Sequence, residues 1–144
     1  MEPRTLQVGV KILLRNADNK FLLLHRNLKK YENIVGEWDI PGGRIDPGTT
    51  LKVNLEREVF EETGLKIIGE PELIAAQDIL RKEGFHVVRL TYVGRCEGEV
   101  ALDTEENDEY AWYGRDEVAE LENVDTYLKA LLPVLLSHDV LAKE

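Results

Sequence analysis

Three glutamates, Glu58, Glu61 and Glu62, stand at i, i+3 and i+4. On a helix that spacing puts all three carboxylates on one face. They fall just before Gly64, at the end of the predicted helix, where the macrodipole disfavours negative charge. Like charges at this spacing cost roughly a few tenths of a kcal/mol per pair, and the dipole adds a similar penalty. Accumulated costs of this kind call for a compensating cation. Ligands that offer only oxygen suit a hard divalent ion, Mg²⁺ or Mn²⁺. Arg57, one residue ahead of the cluster, can pair with Glu61 at i, i+4 for about half a kcal/mol.

These residues need a frame to position them. Gln7 to Arg15 and Phe21 to Arg26 read as strands, joined by the turn residues Asn16 to Asn19 into a hairpin. Leu28 to Glu37 is polar and reads as a loop. Trp38-Asp39-Ile40 is a short strand ending at Pro41-Gly42-Gly43, and Asp46-Pro47-Gly48 is a turn. Thr49 or Thr50 can N-cap the helix, Leu51, Leu55 and Val59 give it an apolar stripe, and Gly64 stops it. Leu73 to Leu80 and Phe85 to Cys96 are two more strands with a tight turn between them. Glu97 to Asp108 is an acidic loop, Tyr110 to Tyr113 a short strand, and Asp116 to Leu121 a short helix. Thr126 to Ala142 reads as an amphipathic helix that Pro133 should kink. Mixed strands with a central and a C-terminal helix make an α+β arrangement.

The 144 residues fit one domain over the whole chain, 1–144. With 18 basic against 28 acidic residues the net charge is −10, which argues against nucleic acid or an anionic membrane as partner. A small phosphorylated substrate stays open, because bound metal inverts the local sign. Cys96 is the only cysteine, so no disulfide can form within the chain. The start of the chain has no apolar stretch behind it, and the longest apolar run, Ala130 to Leu136, is too short to span a bilayer; a cytoplasmic location is expected.

The pattern Gly43-x5-Thr49-x7-Arg57-Glu58-Val59-x-Glu61-Glu62-x-Gly64-Leu65 resembles the Nudix box, Gx5Ex7REUxEExGU with U aliphatic. Only Thr49 departs from it, standing where the family has Glu. Trp38 to Gly43 is similar to the strand and glycine loop before the box, and Glu106 to Trp112 to the acidic loop and strand after it. The resemblance implies an α/β/α sandwich with a mixed sheet, and Mg²⁺- or Mn²⁺-dependent hydrolysis of a nucleoside diphosphate linked to another moiety. It implies metal ligation by Glu58, Glu61 and Glu62 and the Gly42 carbonyl, with Glu106 as a further ligand or general base. Glu97, Glu99 and Glu105 compete with Glu106 for that role, and Glu58 is the other candidate base. Arg57 would orient a catalytic glutamate. Gly43, Arg26 and Arg44 flank the expected cleft and would meet the substrate.

Thr49 carries no charge and can serve as a helix cap. It supports an alternative reading, a Nudix-fold nucleotide-binding module with weak or no turnover. Trp38 and Tyr31 could stack on a base, although Trp38 fits the core better. His25 reads as a partly buried strand residue. Homodimers are common in the family, but no segment here marks an interface. Base and linked moiety are chosen by loops, Leu28–Glu37 and Glu97–Asp108, whose specificity is not written in any motif.

Overall fold

Alternation along β1 (Thr5–Arg15) builds the two-sided core. In the computed structural model, which describes residues 3–30 and 36–138, Val10, Ile12 and Leu14 pack with Leu55 and Val59 of α1 (Leu51–Thr63). Leu13 belongs instead to a cluster with Val118 of α2 (Arg115–Glu120) and Leu128, Leu132 and Leu135 of α3 (Thr126–Ser137). Successive residues of a strand point to opposite faces, so one strand feeds both layers. The next strand, β2 (Phe21–Arg26), repeats this: Leu22 and Leu24 join the α1 side, Phe21 and Leu23 the other. Helices on both faces of one sheet are the expected α/β/α sandwich.

Among the described residues the sheet has seven strands. Its main path runs β3 (Trp38–Asp39), β2, β1, β6 (Phe85–Glu97), β5 (Lys66–Ile79). The short strand β4 (Gly42–Arg44) lies along the middle of β1, and β7 (Asn107–Tyr113) pairs with β2. β1 and β6 pair in parallel from Thr5 opposite Phe85 to Arg15 opposite Arg95, while the other pairings are antiparallel. The sheet is therefore mixed.

Several boundaries differ from those expected. β5 begins at Lys66 rather than Leu73, because an edge strand tolerates Gly69 and Pro71 at a break in register between Ile68 and Glu72. The glycine turn is itself a strand: Gly42 and Gly43 pair with Lys11 and Val10. Gly42 has φ 141°, and a Cβ on it would overlap the Val10 carbonyl, so only glycine fits there. β7 starts at Asn107 and shortens the acidic loop. α3 runs through Pro133 and ends at Ser137; the expected continuation to Ala142 lies outside the described residues from 139 onward. Tyr31 and half of the Leu28–Glu37 loop, residues 31–35, likewise fall outside them.

α1 follows its signals closely. Thr50, not Thr49, caps it, accepting from the Val53 N–H at 3.1 Å. Gly64 closes it in the left-handed region, φ 74°, donating its N–H to the Phe60 carbonyl at 2.8 Å. Leu51 is exposed rather than buried, since it occupies the first helical turn ahead of the packed face. Among the described residues, no helix is long and apolar enough to cross a membrane.

Candidate functional site

One cavity of about 630 Å³ opens where β1, β4, β6 and the end of α1 meet. Every residue expected to act on substrate or metal lines it except Arg57: Gly42, Gly43, Arg26, Arg44, Glu58, Glu61, Glu62 and Glu106. Arg57 stands behind the cluster. Its guanidinium donates to Glu58 at 3.0 Å and to Glu61 at 2.8 Å. It also donates to Asn54 Oδ1 at 3.0 Å and lies 3.3 Å from Asp46. The Arg57–Glu61 pair is the i, i+4 contact that the spacing predicts, and the remaining bonds fix the planar fork from the other side.

Asp46 thereby places a carboxylate on Arg57 at the helix start. Thr49 offers only its backbone there, its carbonyl accepting weakly from Asn54 Nδ2 at 3.4 Å. Asn54 is fully buried and makes the junction. Its Oδ1 accepts from the Asp46 N–H at 2.8 Å, and its amide donates to the Thr50 carbonyl at 2.8 Å.

The glutamates are electrostatically strained. Burial pushes the Glu62 carboxyl up to about 7, against the opposing charge of Lys11 and a hydrogen bond from the Gly42 N–H at 3.0 Å. Burial also raises Glu58, although Arg57 pulls the other way. A carboxylate held above its ordinary range by desolvation gains from a nearby cation. Gly43 leaves room for this cluster: a Cβ there would come within 2.5 Å of Glu58 Oε2. Oxygen donors alone, a glycine carbonyl at a bare backbone position and half-buried carboxylates on one helix face fit a hard divalent ion.

The cavity is also lined by a buried ionic network that sequence reasoning did not single out. Asp39 receives Arg89 at 3.0 and 3.2 Å, Arg26 at 2.6 Å and Lys11 at 3.4 Å. Asp125, which caps α3, receives Arg26 at 3.0 Å and Arg89 at 3.2 Å. Burial alone would raise Asp39, but these cations hold it well below the ordinary carboxylate range. One signal for the network was present: Lys11, Asp39 and Arg89 are each charged residues flanked by apolar neighbours inside strands.

Other expectations fall elsewhere. Arg44 is exposed at the rim and bonds Gln7. Glu106 faces the cavity and pairs with Lys30; Asp103 is beside it, whereas Glu97, Glu99 and Glu105 do not line the space. Trp38 packs against the α3-side core, edge-on to His25 at 5.0 Å and Tyr113 at 6.1 Å, and does not line the cavity. His25 sits between two carboxylates, Asp108 at 2.7 Å and Glu37 at 3.1 Å. Ligand atoms of His25, Asp108 and Glu109 lie within 4.8 Å of one another, on the β2–β7 crossing and not at the glutamate cluster.

A NUDIX domain is recognised across residues 5–134. The chain belongs to the NUDIX family. It is 36% identical over 84 residues to the 8-oxo-dGDP phosphatase NUDT18 of Homo sapiens, covering 56% of this chain and 24% of that protein. It is 28% identical over 100 residues to a MutT-like protein of Streptomyces ambofaciens, covering 69% and 62%. The chain thus spans less than two thirds of the length of these curated relatives. The crystal structure of a MutT protein from Methanosarcina mazei Go1 superposes with a TM-score of 0.76 at 26% identity, covering 94% of this chain and 96% of that one. The layered mixed sheet described above is therefore the NUDIX fold.

Proposed function

We propose that the chain, acting as one domain, hydrolyses the pyrophosphate bond of a nucleoside diphosphate linked to another moiety, with Mg²⁺ or Mn²⁺. One observation carries this reading. Glu58, Glu61 and Glu62 line the same cavity as the Gly42 backbone and Glu106, together with the cations Lys11, Arg26 and Arg89. Glu58, Glu61, Glu62 and the Gly42 carbonyl would hold the ion, and Glu106 would complete the set. Bound metal would neutralise the diphosphate and acidify a water. Arg57 keeps Glu58 and Glu61 in place through the contacts described. Glu58, whose proton affinity burial raises, is the first candidate to accept the water's proton, and Glu106 the second. Arg44 at the rim and the Gly43 backbone would meet the phosphates.

The human relative is named for an oxidised guanine nucleotide, which puts oxidised nucleoside di- and triphosphates first in a substrate panel. ADP-ribose and nucleotide sugars follow. Release of phosphate or nucleotide would be measured with Mg²⁺ and Mn²⁺ for the wild type and Glu62→Gln. Metal-dependent release that the variant loses supports the hydrolase. No turnover on any member, with thermal stabilisation by one of them, supports the binding module and makes Thr49→Glu the next variant.

A further inference from the structure

Lys11 lies mid-strand between the fully buried Val10 and Ile12, and its own side chain is one-fifth exposed, at 20%. The register of β1 and β4 sets it directly opposite Gly42. Its ammonium donates to the Ile40 carbonyl at 3.2 Å, sits 3.5 Å from the Gly42 carbonyl and 3.4 Å from Asp39. The N–H of that same Gly42 donates to Glu62. One glycine therefore joins the cation of the basic wall to the acidic cluster. The ammonium also shares the carbonyl that would serve the metal.

Charge balance makes the position informative. Lys11, Arg26 and Arg89 bring three positive charges to the two carboxylates of Asp39 and Asp125, both nearly fully buried. An uncompensated charge in such a place is costly. Arg89 Nε is moreover buried without a hydrogen-bond partner. Gly42 leads this surplus to the glutamate face, its carbonyl 3.5 Å from the ammonium and its N–H donating to Glu62 at 3.0 Å.

We propose that Lys11 is a resident cation of the glutamate site. It weakens binding of a divalent ion on its own and, once the ion is in place, holds the diphosphate oxygens of the nucleotide beside it. The inference rests on the reading of the cluster as a metal site. Lys11 would be a positioning and charge-balancing residue, and its signature is a split in sign: removing its charge tightens metal and loosens diphosphate. A lysine that merely braced the Gly42 strand would not produce that split.

The test uses the full chain with Mn²⁺ alone, followed by electron paramagnetic resonance of the free ion. The non-hydrolysable probe methylenediphosphonate is then titrated at saturating Mn²⁺. Lys11→Gln keeps a neutral donor one bond shorter than the ammonium, Lys11→Met has no donor, and Lys11→Arg keeps the charge. Both neutral variants should bind Mn²⁺ roughly ten-fold tighter and the probe roughly ten-fold weaker, with Lys11→Arg near wild type. The inference is overturned if metal and probe affinity fall together, if either stays within two-fold of wild type, or if neither neutral variant folds by circular dichroism. Glu62→Gln separates the two readings. Unchanged Mn²⁺ binding in that variant removes the metal site itself, whereas its loss beside an unchanged Lys11→Gln removes only the role of Lys11.

Discussion

Asn54 shows how much of the site hangs on a side chain that does no chemistry. It sits at a fully buried position of α1 and bonds the Asp46 N–H, the Thr50 carbonyl and the Arg57 guanidinium at once. Truncation to alanine leaves the part-buried Asp46 N–H and Thr50 carbonyl without their partner and frees Arg57 on one side. Asn54→Ala is expected to cost about 1–3 kcal/mol in chemical denaturation. Reading the sequence could not flag it, because a helix stripe of Leu51, Leu55 and Val59 leaves Asn54 as an unremarked neighbour. The three glutamates and Arg57 were legible for the opposite reason. Their cost as like charges at helical spacing is visible without coordinates. Asp39 and Arg89 were not, since their partners come from Arg26 and Asp125, far away in the chain.

Elements meet at His25, which ties β2 to β7 through Asp108 and to the entry of β3 through Glu37. Desolvation lowers the imidazole's proton affinity, but the hydrogen bonds and charges of Asp108 and Glu37 outweigh it and the net shift is upward. A raised histidine favours the folded state fully below its unfolded value of 6.5, and the benefit disappears as pH climbs through the folded value. The thermal midpoint of the wild type should therefore exceed that of His25→Gln most at about pH 6, and the gap should close towards about pH 9. A gap that is flat across this range would mean that the ion pairs contribute nothing. Element types read well from local signals: the Thr50 cap, the Gly64 stop and the hairpin of β1 and β2 all stand as expected. Boundaries read poorly where tertiary pairing overrode local chemistry. Gly69 and Pro71 would end an isolated strand, yet β6 carries β5 through them by shifting register.

Over the whole molecule the acidic excess faces a proposed substrate class that is itself polyanionic. At a net charge of −10 the long-range field repels a nucleotide, and the basic residues that line the cavity, Lys11, Arg26, Arg44, Arg81, Lys82 and Arg89, oppose it locally. With Mg²⁺ saturating, kcat/KM is expected to rise roughly two- to three-fold between about 10 and 150 mM KCl as that field is screened. A monotonic fall would show that the basic wall governs encounter. The layered architecture was largely legible, because strand alternation and the helix stripe specify which faces must be covered. The order of strands was not, since nothing in β1 or β6 alone announces that they pair. That pairing has a kinetic side. Thr5 to Arg15 must find Phe85 to Arg95 in parallel register across everything between them, including α1 and all three glutamates. Such non-local contacts form late and slowly, since the loop must close before it is rewarded. The wall is therefore completed late: a nascent chain halted before β6 would hold the glutamate helix with Lys11, Arg26 and Asp39 but without Arg89 and Asp125, which neutralise and fix them.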